Sequence, residues 1–261
     1  MDTQQRNSLV SIPGAIIVAG AIVAMAIIWT HTSTARPSVE PASYQTPTQN
    51  GGVNMKAVDE TDHIMGNPNA PIKIVEYSDP SCPYCKAFNP IMEQVMNMYG
   101  PGGQVAWVYR SFPLDKPDAN GNVLHPNAGH EAQALECAAS LGGNTVFWAF
   151  EKHLYETTPS VTAQTPNGLD QNLLPGLAKD VGLDPVQFND CLSSGQFKDK
   201  VEAEYTDGVN AGVNGTPYSI IITPAGSRIP LPGVQTFVTL KNAIDTLLSE
   251  ATSSSSQNSS I

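Results

Sequence analysis

Ile72-Lys73-Ile74-Val75-Glu76-Tyr77, followed by Cys82-Pro83-Tyr84-Cys85 and then Lys86 to Tyr99, is the stretch whose reading decides the fold. The first segment is a short β-rich run bounded by prolines. The last carries Phe88, Ile91, Met92, Val95 and Met96 at helical spacing. The two cysteines therefore stand where a strand hands over to a helix, with Cys82 at the helix's N-terminal edge. Pro83 suits the first helical turn, where no backbone N–H is needed. The unsatisfied N–H groups and the positive end of the helix dipole then favour a thiolate at Cys82, and a thiolate is the species that attacks disulfides. Cys85, one helical pitch further on, lies beneath Cys82 and within reach of a small disulfide ring. The pattern predicts a redox dithiol, with Cys82 as nucleophile and Cys85 as resolving thiol.

Half of a zinc site has the same spacing. A structural zinc site would want a second close pair, however. Cys137 and Cys191 are far from each other in sequence, and His31, His63, His125, His130 and His153 show no paired spacing. A purely structural Cys82–Cys85 bridge is the other bland reading. No metal or cofactor is expected. Asp115 to Asn122 brushes against a calcium-loop pattern, but Lys116 stands where the first carboxylate should be, so no calcium site is expected there either.

Several further motifs fall in order along the chain. They are Asp62-His63-Ile64-Met65-Gly66-Asn67-Pro68-Asn69-Ala70-Pro71, Ile74-Val75-Glu76-Tyr77-Ser78-Asp79, Phe112-Pro113-Leu114, His125-Pro126-Asn127-Ala128 and Gly215-Thr216-Pro217. Together with Cys82-Pro83-Tyr84-Cys85 they resemble the DsbA-like thioredoxin domain, from about Asp62 to Leu248. The resemblance implies an α/β thioredoxin fold with an inserted helical domain, and thiol–disulfide exchange outside the cytoplasm. It also implies that Pro217 is cis and packs opposite the dithiol, with the backbone of Thr216 pairing with substrate. An acid at the place of Glu76 would lie under the resolving cysteine and accept or relay its proton. Pro83 and Tyr84 would tune the Cys82 sulfur.

Cys137 and Cys191 fall on two different helical segments. Outside the cytoplasm two such thiols are expected to be bonded, and the reading taken is a structural disulfide, with a second redox pair or two free buried thiols as its alternatives.

Leu9 to Trp29 carries no charged side chain, and about twenty such residues span a bilayer. With Arg6 before it and Arg36 beyond, the segment predicts a single transmembrane signal anchor, 9–29, after a short cytoplasmic stretch, 1–8. Its length favours an uncleaved anchor over a signal peptide cut near Ser33-Thr34-Ala35. Residues 30–57 read as a flexible linker, 58–250 as the folded domain with its helical insertion at about 125–210, and 251–261 as a disordered tail. The formal net charge of −11 argues against a general nucleic-acid binder.

Periodicity places a second strand over Gln104–Tyr109 and helical material from Ala128 to Tyr155. Asp184-Pro185 reads as a cap and first turn, and another helix runs from Gln196 to about Val209. Strands follow at Tyr218–Thr223 and Arg228–Leu231, with a closing helix from Phe237 to Leu248.

The leading functional expectation is a membrane-tethered oxidase that gives its disulfide to newly exported proteins. The resemblance implies regeneration by a membrane quinone-linked partner, of the DsbB or vitamin-K-epoxide-reductase type. A disulfide isomerase or reductase is second, and a non-catalytic thioredoxin-like binding protein third.

Overall fold

The computed structural model describes residues 52–118, 120–159 and 168–258. The expected anchor at 9–29 and most of the expected linker lie outside them. Among the described residues, no helix is long and apolar enough to cross a membrane.

The strand that precedes the dithiol is the centre of the sheet. It is β2 (Ile72–Ser78), and α1 (Pro83–Tyr99) carries the chain over to β3 (Val105–Ser111), which pairs with β2 in parallel. A short β1 (His63–Gly66) closes one edge by antiparallel pairing with β3. After the helical insertion, β4 (Tyr218–Ile222) pairs antiparallel with β2 on its other side, and β5 (Arg228–Pro232) forms the far edge. The order is thus β1-β3-β2-β4-β5. The insertion holds α2 (Ala128–Thr157), α3 (Leu174–Asp180), α4 (Pro185–Ser194) and α5 (Lys198–Ala211), and the final helix, α6, spans Phe237–Asn258.

Strand alternation splits the sheet into two unlike faces. On one face Ile72, Ile74, Trp107, Tyr109 and Ile221 join Phe88, Met92 and Val95 of α1 and Leu240 and Ile244 of α6. The same core runs on into the insertion through Leu135, Phe147, Phe150, Leu154 and Phe188. The insertion is therefore packed on the sheet's main core and is no separate lobe. The other face is smaller: Val75, Tyr77, Val108 and Ile220 lie beneath Ala211 and Val213. Here α5 comes so close that a Cβ on Gly208 would sit 2.5 Å from the Phe112 ring.

Helix boundaries follow local chemistry. Asp184 caps α4 by accepting from the N–H groups of Val186 and Gln187, and Gly195 at φ 66° ends it. Helix α2 is broken at Gly143, whose φ of 77° is a conformation glycine adopts freely. The cysteines of the two insertion helices are bonded: Cys137 of α2 and Cys191 of α4 form a disulfide across 54 residues of chain.

Three readings are corrected, and two elements escaped the sequence. The tail expected from residue 251 continues α6 as far as Asn258. Two hydroxyls here bond to carbonyls one turn back, Thr252 Oγ1 to Leu248 and Ser253 Oγ to Ser249. The linker expected through residue 57 ends earlier: Met55 is buried, and Arg228 donates to the carbonyls of Val53 and Met55. The edge strand β1 and the short α3 were not read from the sequence, being too brief for a periodic signal. Finally, Arg110 follows the end expected for the second strand at Tyr109, yet it lies inside β3 and is almost wholly buried.

That guanidinium fastens the smaller face. It makes a two-pronged pair with Asp62 (2.7 and 2.9 Å), meets Asp207 at 2.8 Å, and donates to the carbonyls of Lys56 and Ala57. Arg110→Met would leave two carboxylates without their cation and two carbonyls of the Val53–Ala57 strap without a donor. Breaking one side of such a network costs about 3–5 kcal/mol, and equilibrium denaturation of the variant should read a loss of that size. Removing the Cys137–Cys191 bridge by a Cys137→Ala/Cys191→Ala change should cost about 4 kcal/mol in the chain-entropy model, read as a lower Tm.

Candidate active site

Cys82 is the N-cap of α1, with Pro83 in the first turn. Its own N–H is turned back to the carbonyl of Asp79 at 3.0 Å, which closes a tight loop between β2 and the helix. The sulfur therefore stands over the open helix end, as the sequence predicts. The Cys85 thiol and the Cys85 N–H both hydrogen-bond towards Cys82, and with help from Thr216 they hold its thiol down at about 6, against the opposing effects of burial and Asp79. Thr216 reaches Cys82 from across the site: its carbonyl lies 3.5 Å from Cys82 Sγ, and its hydroxyl is buried with no other protein partner. The Thr216–Pro217 bond is cis.

Cys85 has the opposite environment. It has no exposed surface, and burial together with the adjacent Cys82 and the charge of Glu76 pushes its thiol well up. The Asp79 N–H points at its sulfur at 3.5 Å. The two thiols are unbonded to one another. One thus favours the thiolate and the other the thiol, an asymmetry suited to ordered exchange. Tyr84 is two-thirds exposed beside the pair, the only such large side chain in the Cys82–Cys85 segment.

Glu76 lies under this pair on the main-core face of β2. It is 2 % exposed, and desolvation pushes its carboxyl up to about 7. Trp107 Nε1 donates to one oxygen at 2.9 Å and Ser78 Oγ to the other at 2.8 Å. Glu76 is thus a buried acid on the strand that leads to the dithiol. Cys137 and Cys191, by contrast, are tied to one another within the insertion.

Several residues around the dithiol were not singled out from the sequence. Asp79, fully buried, accepts from the N–H groups of Ser81 and Leu114 and meets His125 Nδ1 at 2.8 Å. His125 is raised above the ordinary imidazole value because Asp79, and behind it the Cys82 charge, outweigh its burial. Glu131 of α2 takes a 2.6 Å bond from Ser81 Oγ, so the residue before Cys82 is held from the insertion. Tyr155 of α2 forms one buried cluster with the two cysteines. The motifs ending at Asp79 and beginning at His125 were the available signals for these, and they gave neither residue a role. The rest depend on contacts between distant segments.

The comparisons bear on this arrangement. A thioredoxin family model matches residues 58–245. Among solved structures, α-DsbA1 of Wolbachia pipientis superposes with a TM-score of 0.63 at 22 % identity, covering 76 % of this chain and 96 % of that one. Oxidised BdbD of Bacillus subtilis gives 0.61 at 21 %, covering 77 % and 100 %. Among curated sequences, a Na(+)/H(+) antiporter NhaA 1 of Mycolicibacterium gilvum is 34 % identical over 96 residues, which are 37 % of this chain but 14 % of the antiporter. The chain thus spans about one-seventh of that relative's length, and the antiporter's name describes the whole of that longer protein.

If the helix end and Thr216 activate Cys82, alkylation of the reduced protein should follow a single titration near pH 6, well below the free-thiol value of about 8.5. Thr216→Val should move that midpoint upward by removing the hydroxyl beside the sulfur. The measurement is the pH dependence of iodoacetamide labelling at Cys82, read by mass spectrometry.

Proposed function

The chain belongs to the thioredoxin family, and from that premise we propose that it is a DsbA-like, extracytoplasmic thiol–disulfide oxidoreductase acting chiefly as an oxidase. The observation that carries this reading is the unequal pair: a Cys82 thiol held down to about 6 above a Cys85 thiol pushed well up. Stabilising the thiolate of the reduced form makes the disulfide form a stronger oxidant.

The cycle begins with Cys82 and Cys85 joined. A substrate thiolate attacks Cys82, the Cys82–Cys85 bond breaks, and Cys85 leaves as the reduced sulfur and takes up a proton. Glu76 is the acid placed to supply it. A second substrate thiolate then attacks the substrate sulfur of the mixed disulfide. Cys82 leaves as a stabilised thiolate, and the substrate carries the new disulfide. Two electrons have moved from substrate to protein. Tyr84 and the Thr216 backbone flank the sulfur where a substrate chain would lie.

Newly exported proteins are the proposed substrates. The uncharged run Leu9–Trp29 and the Cys137–Cys191 bridge support a location outside the cytoplasm, with the former as a membrane anchor. Reoxidation of the dithiol would need an electron acceptor, for which a quinone-linked membrane partner of the DsbB or vitamin-K-epoxide-reductase type is proposed.

Two assays test the reading. The oxidised protein should form a disulfide in a reduced dicysteine peptide faster than the reduced protein cleaves insulin, and the opposite order would favour a reductase. Cys85→Ser should accumulate mixed disulfides with substrate on Cys82, visible as adducts on non-reducing gels that reductant removes. Adducts at Cys137 or Cys191 would overturn the assignment.

A further inference from the structure

Glu76 and Cys85 are the two ends of a proton transfer, and the side chains between them are arranged in a specific way. Trp107 Nε1 is a donor and nothing else, and it holds Glu76 Oε2 at 2.9 Å. A proton on the carboxyl is therefore confined to Oε1, and Oε1 faces Ser78 Oγ at 2.8 Å. Ser78 has no exposed surface. The next residue, Asp79, directs its N–H at Cys85 Sγ, which brings the Ser78 segment against that sulfur. Hydrogen bonding from Ser78 also stabilises the Cys85 thiolate. On its far side Ser78 Oγ meets Tyr155 OH at 2.9 Å, and the same phenol oxygen lies 3.3 Å from the Asp79 carbonyl; with Tyr155 donating to Ser78 Oγ, the serine keeps its own hydrogen for the relay. Tyr155 comes from the insertion and clusters with the two cysteines; it is itself almost wholly buried.

We propose that Ser78 is the proton relay between Cys85 and Glu76, with Tyr155 as the positioning residue that holds its hydroxyl in line. The proposal deepens the reading of Glu76 given above and rests on it. When Cys85 leaves as a thiolate, Ser78 Oγ–H gives its proton to the sulfur and takes the proton of Glu76 Oε1, leaving a carboxylate. When Cys85 attacks a mixed disulfide on Cys82, the same two protons move back. No net atom is gained by Ser78 in either direction. A hydroxyl suits this task because it donates and accepts at one atom.

The carboxyl's titration is set by more than Ser78. From β3 it is faced by Trp107 and by Tyr109, its register neighbour, and from β4 by Ser219. Cys82 and Cys85 act on it from α1, Glu151 and Tyr155 from α2. Glu151 is itself an acid pushed well up by burial, held by Asn89 at 2.6 Å. These groups share the site, but among the described residues the hydrogen bond to Glu76 Oε1 comes from Ser78.

The test mixes the reduced full chain with oxidised glutathione in stopped flow, separating attack by Cys82 from ring closure by Cys85. In the unaltered protein the closure rate should rise through about pH 7 and level off, as the Glu76 carboxylate becomes available. In Ser78→Ala, closure near pH 7 should be at least tenfold slower and should climb with pH without a plateau, with attack by Cys82 unchanged. Ser78→Thr should restore the plateau. Glu76→Gln combined with Ser78→Ala should be no slower than either change alone. A plateau lost in Glu76→Gln but kept in Ser78→Ala would overturn the relay and leave Glu76 as the base. A plateau kept in both would overturn the reading of Glu76 itself. Should Ser78→Ala fail to fold, closure by the unaltered protein in H2O/D2O mixtures decides: two protons in flight give a curved dependence, and a straight or flat one overturns the relay.

Discussion

The burial of Cys85 against a carboxyl is the constraint from which the rest of the site follows. A thiol with no exposed surface, above an acid with almost none, is held in its neutral form, because a second charge there would be both desolvated and repelled. Its hydrogen is then free to point at Cys82. The same burial that raises one sulfur therefore lowers the other. Neither the helix end nor the neighbouring threonine would suffice to order the two thiols in this way. It is the vertical stacking of exposed end, dithiol and buried acid that makes one cysteine the nucleophile.

That stacking is a property of the sheet. Glu76 and Ser78 are two apart on β2, so they share a face with each other, with their register partners Tyr109, Ser219 and Ser111, and with Trp107 opposite Ile74. A shift of β2 by one residue against its neighbours would turn Glu76 to the smaller face, where Arg110 already has its two carboxylates. The central strand is buried on both sides, by α1 and α6 on one and by α5 and the Val53–Ala57 strap on the other. The register that aims the acid at the dithiol is thus fixed by apolar packing along the whole strand.

What was legible in the sequence was local. Strand, dithiol and helix follow one another within one stretch, so Cys82, Pro83 and Cys85 could be placed from spacing alone, and Asp184-Pro185 announced α4 in the same manner. Pro217 and Thr216 came from resemblance, since nothing in their neighbours distinguishes them from turn residues; Glu76 stood out as an acid among apolar strand neighbours, and its role came from resemblance. Asp79, His125, Glu131 and Tyr155 were not legible, because each gains its place from a partner tens of residues away. Arg110 was missed for a different reason. A cation is expected at the surface, and only the meeting of Asp62, Asp207 and two strap carbonyls makes its burial tolerable. The strap itself has one large apolar residue, Met55, too little to set it apart from the polar stretch before it.

The helical insertion is more than a cover. It reaches the active site at two points, through Glu131, which holds the hydroxyl of Ser81, and through Tyr155, which clusters with the two cysteines. Both belong to α2, on either side of the break at Gly143. The half that carries Glu131 is bridged by Cys137 to α4, while the half that carries Tyr155 is packed on the sheet core through Phe147, Phe150 and Leu154. The disulfide secures the first contact and the core secures the second. A change in how the two halves meet would move Ser81 and Tyr155 relative to one another, and with them the walls of the dithiol. The insertion thereby belongs to the active site by packing, even though it contributes neither of the exchanging sulfurs.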